Sequence, residues 1–555
     1  MKGTLSGLGT QDSGLIPPIP PWCEWGRGDS AILLVAPHGG RRPLVDATAP
    51  PPRLRVNDVY TPEITRALAA VLDAGFVINS GMDRNVLDLN RISRVRKEAR
   101  WFLELLTREI DRIIQRHGRI ELLFVHGWNT GQATCDLGIG ARDTPGGLHV
   151  PDGAHLTVDA AYRHQRLEPL RAACARAQIR VPIGERYPGS HRNNLLQLFT
   201  PRAAQFDHPC ARRIAAWVAE GRINALQLEL GIPLRWPGRC RSSFVAAVAE
   251  AFTSGGSAAR SVLDARPERG TQPSARRTAA AALQFYDPAA DVGLSAGIGH
   301  AGPHGTSGRL LLFLGGQRVA LFTGEAVHAH GQRVGPLHMV RRDGEVHLKF
   351  SGPMLMLDDA AVYLDLEAAL AQSRLVDAEV QIEFAPMCAP SAGDAACFGV
   401  THGHVAIDGH RRDVESSGFA NAAAFRAAGA RQQTMLAAAF GNGRGLLTRV
   451  VEGSSDCAAM HFMHPTPEAL RSVRIAVATD GDPYTPQGFE LSCEGQPPVR
   501  ARPLSRMAIL RPTGDAGYLR VTFGIARFDW NGDAGYGLYE YARPVTGSDR
   551  VISDQ

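Results

Sequence analysis

Two histidines in this sequence each follow a short apolar run and are each followed by glycine. The segment LLVAPHGG places His38 after one predicted strand, and the segment LLFVHGW places His126 after another. Open α/β sheets bind their ligands at the carboxyl ends of the strands. One histidine at a strand end is more often a hydrogen-bonded structural residue than a ligand. Two in the same arrangement favour a shared metal site at one edge of the sheet.

A catalytic zinc site usually has three protein ligands and keeps a fourth position open for water. The segment NDVYTPEITRAL offers two acids, Asp58 and Glu63, at the start of a predicted helix. An Asp just before a helix is also the expected N-cap, and a Glu in the first turn interacts well with the helix dipole. One acid could cap the helix while the other reaches the metal, and the residues alone leave both open.

The segment DRNVLDLNR concentrates charge around a short apolar stretch. Arg91 beside Asn90 could form a fork for a substrate carboxylate, because a guanidinium meets a carboxylate through two parallel hydrogen bonds. Arg84 could polarise a scissile carbonyl or stabilise its oxyanion. The alternative is a surface loop held by salt bridges.

Two further segments carry candidate site residues. In ALQLELG an acid, Glu229, ends an apolar strand, where an unpaired carboxylate is costly, so we predict that it is a general base. The polar loop RYPGSHRNNLLQLFT contains Asn193, which could line the pocket but is equally well explained by turn chemistry.

The elements that must position these residues alternate strand and helix up to about Phe252. This alternation predicts an α/β domain with a mixed sheet and helices on both faces. The predicted elements are Ala31 to Ala36, Pro62 to Ala74, Phe76 to Ser80, Arg94 to His117, Leu122 to Val125 and Ala225 to Leu230.

The second half of the chain has a different pattern. Residues 253–280 are rich in Ser, Gly, Arg, Pro and Ala and are typical of a linker. Beyond it, short apolar runs such as RVALFTG, EVHLKFSG, AVYLDLE and AEVQIEF predict an all-β sandwich or barrel, interrupted by a helix around Ala422 to Phe440. We therefore expect domains at 1–252 and 281–555, consistent with a length of 555 residues.

Composition narrows the classes of partner. The 60 basic and 55 acidic residues give a net charge of +5 without a basic run, so we expect neither nucleic acid nor a membrane surface as partner. The nine cysteines are scattered without CxxC spacing, which fits reduced thiols. We find no signal peptide and no apolar run of the roughly 18 residues that span a bilayer. These features, with abundant Arg and Ala, predict a cytoplasmic bacterial protein.

From about Ala31 to Leu234 the segments together resemble the N-formylglutamate amidohydrolase family, a branch of the zinc carboxypeptidase and aspartoacylase-like hydrolases. PHGG is similar to the family's PHSG, and RNVLDLNR is similar to its Arg-then-DLNR signature. FVHGW stands where the family has a strand followed by His-Ser-Met, and LQLELG where it has a Gln-x-Glu strand. The resemblance implies a phosphorylase/hydrolase-like fold and a deformylase or amidohydrolase acting on a small acylated amino acid.

By this resemblance, the site residues have definite roles. His38, Asp58 and His126 would hold zinc, Glu229 would be the general base, Arg84 would assist the carbonyl, and Asn90 with Arg91 would bind carboxylate. The family's Ser and Met after the second His are replaced here by Gly127 and Trp128. A Trp beside a metal ligand would suit an apolar or larger acyl group, so we count Trp128 and Asn193 among the substrate-binding candidates.

The C-terminal half carries a more limited resemblance. Trp530, Tyr536, Tyr539 and Tyr541 with their glycines resemble the closing strands of lipocalin-like domains of the hydroxyneurosporene synthase type. This implies a binding or scaffolding role. The histidines of HGHVAIDGHRR, which are His402, His404 and His410, are predicted to be solvent-facing strand residues. Two alternatives to the amidohydrolase remain: a ligand-binding protein with an inactive hydrolase-like domain, and a zinc carboxypeptidase.

Overall fold

The computed structural model describes two parts of the chain. Residues 18–41 and 55–253 form what we call the α/β unit; residues 281–300, 305–326, 332–342, 344–387, 396–420, 432–452, 457–463, 467–512 and 518–545 form the β-rich unit. Apart from its first residue, the predicted linker at 253–280 lies outside the described residues. Within these ranges, helices fall short of the length and apolar character that crossing a membrane requires.

The α/β unit alternates strands and helices along the chain. Its strands are β1 (Cys23–Gly26), β2 (Ile32–Ala36), β3 (Gly75–Asn79), β4 (Ile120–Gly127), β5 (Cys135–Gly138), β6 (Arg142–Thr144), β7 (Gly147–His149) and β8 (Ile223–Leu230). Its helices are α1 (Thr61–Leu72), α2 (Ile92–Glu98), α3 (Arg100–His117), α4 (Ala160–Tyr162), α5 (Glu168–Arg176), α6 (Pro209–Ala219), α7 (Ile232–Arg235) and α8 (Arg239–Thr253). A π-helical turn follows α4 at Arg163–Leu167, and 3-10 turns span Leu195–Phe199 and Pro201–Gln205.

Six of these strands form one mixed sheet in the order β1-β3-β2-β4-β8-β5. Strands β3, β2, β4 and β8 are parallel, and the edge strands β1 and β5 run antiparallel to their neighbours. The carboxyl ends of the parallel strands therefore meet at one edge, where His126 on β4 lies in register with Glu229 on β8.

The sheet has a hydrophobic core on each face. On one face, Leu34 and Leu123 pack with helices α1, α5 and α8. On the other, Leu33 and Phe124 pack with α3 and α6. A sheet covered on both faces has strands that are apolar at nearly every position, and β2 and β8 are buried along their whole length. The expected mixed sheet with helices is therefore present.

The β-rich unit contains long antiparallel strands. They are β9 (Ala281–Asp287), β10 (Val292–His300), β11 (Thr306–Phe313), β12 (Val319–Ala326), β13 (Arg333–Val334), β14 (Leu337–Arg342), β15 (Glu345–Leu357), β16 (Arg374–Pro386), β17 (Cys397–Ile407) and β18 (His410–Ala420). They continue with β19 (Gln433–Phe440), β20 (Gly445–Val451), β21 (Cys457–Phe462), β22 (Pro467–Ala469), β23 (Arg474–Thr479), β24 (Pro486–Cys493), β25 (Gln496–Pro503), β26 (Met507–Pro512), β27 (Tyr518–Trp530) and β28 (Asp533–Pro544). A 3-10 turn at Ala360–Leu364 and helix α9 (Leu366–Gln372) interrupt them.

These strands form two large antiparallel sheets. The first runs β12-β11-β10-β9-β18-β17-β16-β15-β14-β13, and an additional pairing of β12 with β15 curls it. The second runs β22-β21-β20-β19-β28-β27-β25-β24-β23, with β26 paired to β27. Apart from the 3-10 turn and helix α9, the elements of the described residues in this half are therefore all strands.

Three local predictions were wrong. The helix predicted over Arg94 to His117 breaks at Ala99, whose φ of −132° and ψ of 49° are not helical, giving α2 and α3. AVYLDLE is helical, because the Asp365 side chain caps α9 by accepting from Glu367 N and Ala368 N. Part of the helix predicted over Ala422 to Phe440 lies outside the described residues, and the rest is strand β19. That strand is paired on both sides and nearly all buried, so its alanines show no alternation.

The two units share a hydrophobic cluster. Ile232 and Trp236 from the end of the α/β sheet pack against Leu355 and Leu370 of the β-rich unit. The indole Nε1 of Trp236 donates to Ser373 O at 3.3 Å. Its ring meets the ring of Tyr60, just before α1, at 4.7 Å. The start of α1 is therefore held between both units.

We expect Trp236→Ala to lower the free energy of unfolding by about 3–5 kcal/mol, since it empties a buried indole site. Trp236 is 1% exposed, whereas Trp25 is 38% exposed, so Trp25→Ala should change it by only about 1 kcal/mol. Denaturant unfolding of both variants checks this. Equal losses would show that the cluster between the units is not tightly packed.

Candidate metal centre

The turn after β2 explains why two glycines follow His38. A Cβ on Gly40 would overlap the carbonyl oxygen of Met82, and a Cβ on Gly39 would overlap the ring of Pro62. The chain between β2 and α1 therefore packs closely on its neighbours. This holds the imidazole of His38, which is 2% exposed, at the carboxyl edge of the sheet.

Asp58 reaches the same place from the loop before α1. Its backbone N donates to His38 O at 2.8 Å, which fixes the loop against the strand end. The N-cap of α1 is Tyr60, whose φ is 66°, and it makes no side-chain capping hydrogen bond. Because Asp58 does not cap the helix, its carboxylate is directed at the histidines.

His38, Asp58 and His126 bring three electron-pair donors together. His126 Nδ1 lies 3.2 Å from His38 Nδ1 and 3.3 Å from Asp58 Oδ2. His38 Nδ1 lies 3.3 Å from the same Asp58 oxygen. All three residues are buried, and they form a group able to hold a metal ion.

Asp88 fixes the tautomer of His38. The Nε2 of His38 lies 2.7 Å from Asp88 Oδ1, so this nitrogen carries the proton and donates it to the carboxylate. The Nδ1 lone pair of His38 is then left facing the group. Metal-binding histidines are commonly oriented by a carboxylate in this way. Burial alone would raise the pKa of Asp88, but the hydrogen bond and charge of His38 together with the charges of Arg84 and Arg91 hold it far below its usual value.

The spacing of the three donors fits a small divalent ion. Tetrahedral ligands at about 2.0–2.1 Å from an ion lie about 3.3–3.4 Å apart, close to the separations found here. Burial lowers the pKa of His126 to about 4, so its ring is neutral at neutral pH and keeps a lone pair. Among the described residues, His126 Nε2 has no hydrogen-bond partner. The lone pairs of His38 Nδ1, His126 Nδ1 and Asp58 Oδ2 therefore face one another, an arrangement that a bound cation would stabilise.

One cationic side chain and one backbone N–H hold the carboxylate of Asp58. Arg84 Nη1 donates to Asp58 Oδ1 at 3.0 Å, and the backbone N of Gly127 donates to Asp58 Oδ2 at 3.0 Å. Burial would raise the pKa of Asp58, but Arg84 and both histidines hold it well below its usual value. A Cβ on Gly127 would overlap the guanidinium of Arg235, which explains why glycine follows His126.

Arg235 is fully buried beside this group. Its guanidinium donates to Val59 O at 2.6 Å, Trp128 O at 3.2 Å and Asn129 Oδ1 at 2.9 Å. Burial lowers its pKa to about 10, so it stays charged at neutral pH. Arg235 thereby ties the segment after β4 to the segment before α1.

Glu229 lies beside the three donors but outside the group that could bind a metal. Its Oε1 accepts from Gln227 Nε2 at 2.5 Å, and Gln227 Oε1 accepts from Asn194 Nδ2 at 3.1 Å. Burial first, and then the charges of Asp58 and Asp136, raise the pKa of Glu229 well above its usual value. Its raised pKa makes it a candidate for proton exchange.

The remaining predicted residues fall in different places. The Nε of Arg91 lies 3.5 Å from Asp88 Oδ2, so Arg91 reaches the centre only through that carboxylate. Asn90 is buried and its Oδ1 has no partner among the described residues. Asn193 uses its amide to hold Ser93, accepting at 2.9 Å and donating at 2.9 Å. It is Asn194 that joins the Glu229 network.

Two more predicted residues flank the centre. Glu63 lies in the first turn of α1 and does not belong to the metal-binding group. Trp128 is 8% exposed, and its ring meets the ring of Tyr187 at 5.8 Å. In the β-rich unit, His402 has a 59% exposed side chain and His410 is exposed, as expected for solvent-facing strand histidines. His404, whose side chain is 14% exposed, does not fit that prediction.

Sequence reasoning missed Arg235 and Tyr187, and it noted Asp88 and Asn194 as polar residues of their segments without giving either a specific role. Asp88 and Asn194 adjoin residues that the motifs singled out, so their neighbours were a usable signal. Arg235 lies in a segment with no chemical pattern, and Tyr187 lies in the polar loop that carries Asn193 but was not itself singled out. Only the folded chain places them beside Asp58 and Trp128.

Comparison with known proteins gives similarities at low level. No family model matches the chain, and no curated protein matches it. An N-formylglutamate amidohydrolase from Ralstonia eutropha JMP134 is 15% identical, covering 42% of this chain and 96% of its own, with a TM-score of 0.29.

Two other solved structures are also similar. Kievitone hydratase from Nectria haematococca is 10% identical over 48% of this chain and 88% of its own, with a TM-score of 0.31. A protein provisionally named AttH from Nitrosomonas europaea is 13% identical over 47% of this chain and 90% of its own, with a TM-score of 0.29. Similarity at this level does not establish a family, so function must be inferred from the site itself.

We expect the protein to bind one divalent ion per chain through His38, Asp58 and His126. Asp58→Ala should abolish stoichiometric binding, because it removes the only oxygen donor of the group. Glu63→Ala, a matched acid on the same segment, should leave binding intact. Metal content after dialysis measures both. Loss with Glu63→Ala and retention with Asp58→Ala would reverse the assignment.

The pKa of Glu229 predicts a pH dependence of stability in metal-free protein. The folded carboxyl keeps a proton that the unfolded carboxyl, with a pKa near 4.5, releases, so its stabilising contribution fades as pH rises toward the folded pKa. Glu229→Gln removes this loss. The variant should become more stable than the wild type as pH rises above about 4.5, by at most about 1.4 kcal/mol per pH unit until the folded pKa is passed.

The lowered pKa of His126 gives stability the opposite pH dependence, and it does so in both the wild type and Glu229→Gln. Its folded pKa of about 4 lies below the usual 6.5, so stability falls as pH drops from about 6.5 toward about 4. Denaturant unfolding with a chelator present measures the difference between wild type and Glu229→Gln. A difference that does not change with pH would mean that Glu229 titrates normally in the folded protein.

Proposed function

We propose that the α/β unit is a zinc-dependent amidohydrolase that cleaves the amide bond of an N-acyl amino acid or a related small carboxylate. The observation that supports it most is the convergence of His38, Asp58 and His126 beside Glu229, a buried carboxyl with a raised pKa. Metal-binding donors next to a group that can exchange a proton are what amide hydrolysis by water requires.

The donor set suits zinc, which takes imidazole and carboxylate ligands readily. A zinc ion held by these residues would supply a Lewis acid for the amide oxygen and a water of lowered pKa. Asp88 keeps the His38 ring in the tautomer that leaves Nδ1 free. Arg84 and Gly127 N hold Asp58 in place, which keeps the three donors at their separations before substrate arrives.

Glu229 moves the protons in the proposed reaction. Its carboxylate accepts a proton from the attacking water and later delivers it to the leaving nitrogen, so no covalent enzyme intermediate is needed. The hydrogen bond from Gln227 holds one carboxyl oxygen and leaves the other for the water. The positive charges of Arg84 and Arg235 lie near Glu229 and favour its ionised form, the form that can accept the proton.

Arg91 and Asn90 are proposed to bind the carboxylate of the substrate. The side chain of Arg91 is 28% exposed, so it retains access to solvent and to a ligand. Asn90 is buried next to Arg91 in the chain and would use its side-chain amide Nδ2 as the donor to the carboxylate. The division into 1–252, 253–280 and 281–555 and the cytoplasmic location stay predictions.

The deciding experiment is turnover by Glu229→Gln. Metal-loaded wild-type protein should release free amine from at least one member of a panel of N-acyl amino acids. Glu229→Gln should lose about 100- to 10,000-fold in kcat while metal content and melting temperature persist, because it cannot accept the proton. Glu63→Gln is the matched control and should turn over normally.

Each contrary result has a separate meaning. Near-native turnover by Glu229→Gln would show that another group is the base. Loss of metal with the activity would make Glu229 a ligand. A metal-loaded wild type that hydrolyses no member of the panel would favour the ligand-binding protein.

A further inference from the structure

A cavity of about 410 Å³ lies where the α/β unit meets the β-rich unit. Trp128, Asn129 and Thr130, which follow β4, line one side of it. Strands β9 to β12 of the first β sheet line the other. Its volume lies within the range of about 300–1,000 Å³ that is usual for small-molecule sites.

The sheet side of the cavity is made of small residues. Ala282, Gly297, Gly299 and Gly308 present only methyl groups and backbone, which leaves a smooth apolar floor. Glycine inside a strand weakens it and is often found where a ligand approaches the backbone closely. A row of them on one face therefore favours a ligand that lies along the sheet.

The charged residues of the cavity have protein partners. The guanidinium of Arg309 lies 5.9 Å from the centre of the Phe523 ring. The carboxylate of Glu325 lies 3.8 Å from the guanidinium of Arg186. Because both charged side chains have partners within the protein, we expect an uncharged group as the ligand of this cavity.

One wall of the cavity is linked to the metal centre through Trp128. Trp128, which lines it, is two residues beyond the ligand His126 and is tied to that centre by Arg235. Tyr187 packs on Trp128, and its pKa is raised to about 12 by burial and then by Glu229, with a smaller effect of Glu325. Tyr187 thus lies between the proposed base and the cavity wall.

The junction of the two units is fixed beside the cavity. The backbone N of Gly131 donates to Thr323 O at 2.7 Å, and Thr130 Oγ1 donates to the same oxygen at 3.3 Å. The wall supplied by the β-rich unit is therefore attached directly to the segment that follows His126. Neither Asn90 nor Arg91 lines the cavity.

We propose that this cavity binds the acyl group of the substrate, and that this group is an extended apolar chain rather than formyl. The proposal rests on the proposed amidohydrolase function, because it assigns the acyl side of the same reaction. A formyl group would leave the cavity unused, whereas an alkyl chain would lie between the Trp128 ring and the glycine and alanine floor. The β-rich unit would then determine the acyl specificity.

The first test measures binding alone. Isothermal calorimetry on the metal-loaded full chain should show affinity rising from butyrate through hexanoate to decanoate, by roughly fourfold for each methylene that is buried. Gly297→Leu fills the floor, since a Cβ there meets no atom closer than 3.6 Å and is tolerated. It should weaken decanoate by about tenfold or more and leave butyrate unchanged.

The matched control is Gly488→Leu on β24. This glycine is also half-buried in a strand, and a Cβ there lies 3.5 Å from Ala501 O, but it does not line the cavity. It should bind decanoate like the wild type. If Gly297→Leu does not fold, Ala282→Leu, its partner across β9 and β10, replaces it. Decanoate binding that is absent, independent of chain length, or equal in Gly297→Leu would overturn the proposal.

The second test separates this proposal from the proposed function. Turnover of N-formyl and N-decanoyl forms of one amino acid should favour decanoyl in the wild type, and Gly297→Leu should lose kcat/KM for decanoyl alone. If decanoate binds as expected but no amide is cleaved, the cavity assignment stands and the hydrolase does not. If formyl is the better substrate and Gly297→Leu affects both equally, the acyl assignment fails while the hydrolase stands.

Discussion

The structure depends on one constraint: three lone-pair donors are held within about 3.3 Å of one another in a buried place. Such donors repel one another, so other groups must hold each of them. Asp88 orients His38, Arg84 and Gly127 N hold Asp58, and the strand register places His126. The close turns at Gly39 and Gly40 follow from the same need, because bulkier residues would displace the strand end.

Buried charge around the centre is arranged so that each group has a defined proton state. Arg84 and Arg235 are buried cations near Asp58, which stays ionised, while Glu229, facing Asp58 and Asp136, is pushed toward its neutral form. Two carboxylates in neighbouring positions thus differ in pKa because their partners differ. This separation is what the proposed function requires, with Asp58 holding a cation and Glu229 exchanging protons.

The β-rich unit is more than an appended domain. It receives Trp236 and Ile232 in a shared hydrophobic cluster and provides the sheet that faces Trp128 across a cavity. The backbone hydrogen bond from Gly131 N to Thr323 O attaches the β-rich unit to the segment that follows His126. Residues of both units therefore shape the cavity beside Trp128.

Sequence alone determined the parts of this protein that local pattern controls. Apolar runs ending in His38 and His126 predicted both strands and their shared edge, because parallel strands must end together. The acid-rich helix start narrowed the third donor to Asp58 or Glu63, and only the αL turn at Tyr60 showed which acid faces inward. Where periodicity was ambiguous, as in the alanine-rich β19 and the capped α9, the prediction failed.

Tertiary structure decided everything that depends on residues distant in sequence. Arg235 carries no motif, yet its guanidinium packs against Gly127 from more than a hundred residues away. Tyr187 and the small residues of β9 to β12 become a cavity wall only when two units meet. Residue type and spacing specify local conformation and the chemistry that each side chain can offer. Distances, pKa values and cavity shape arise from long-range packing, which no local pattern encodes.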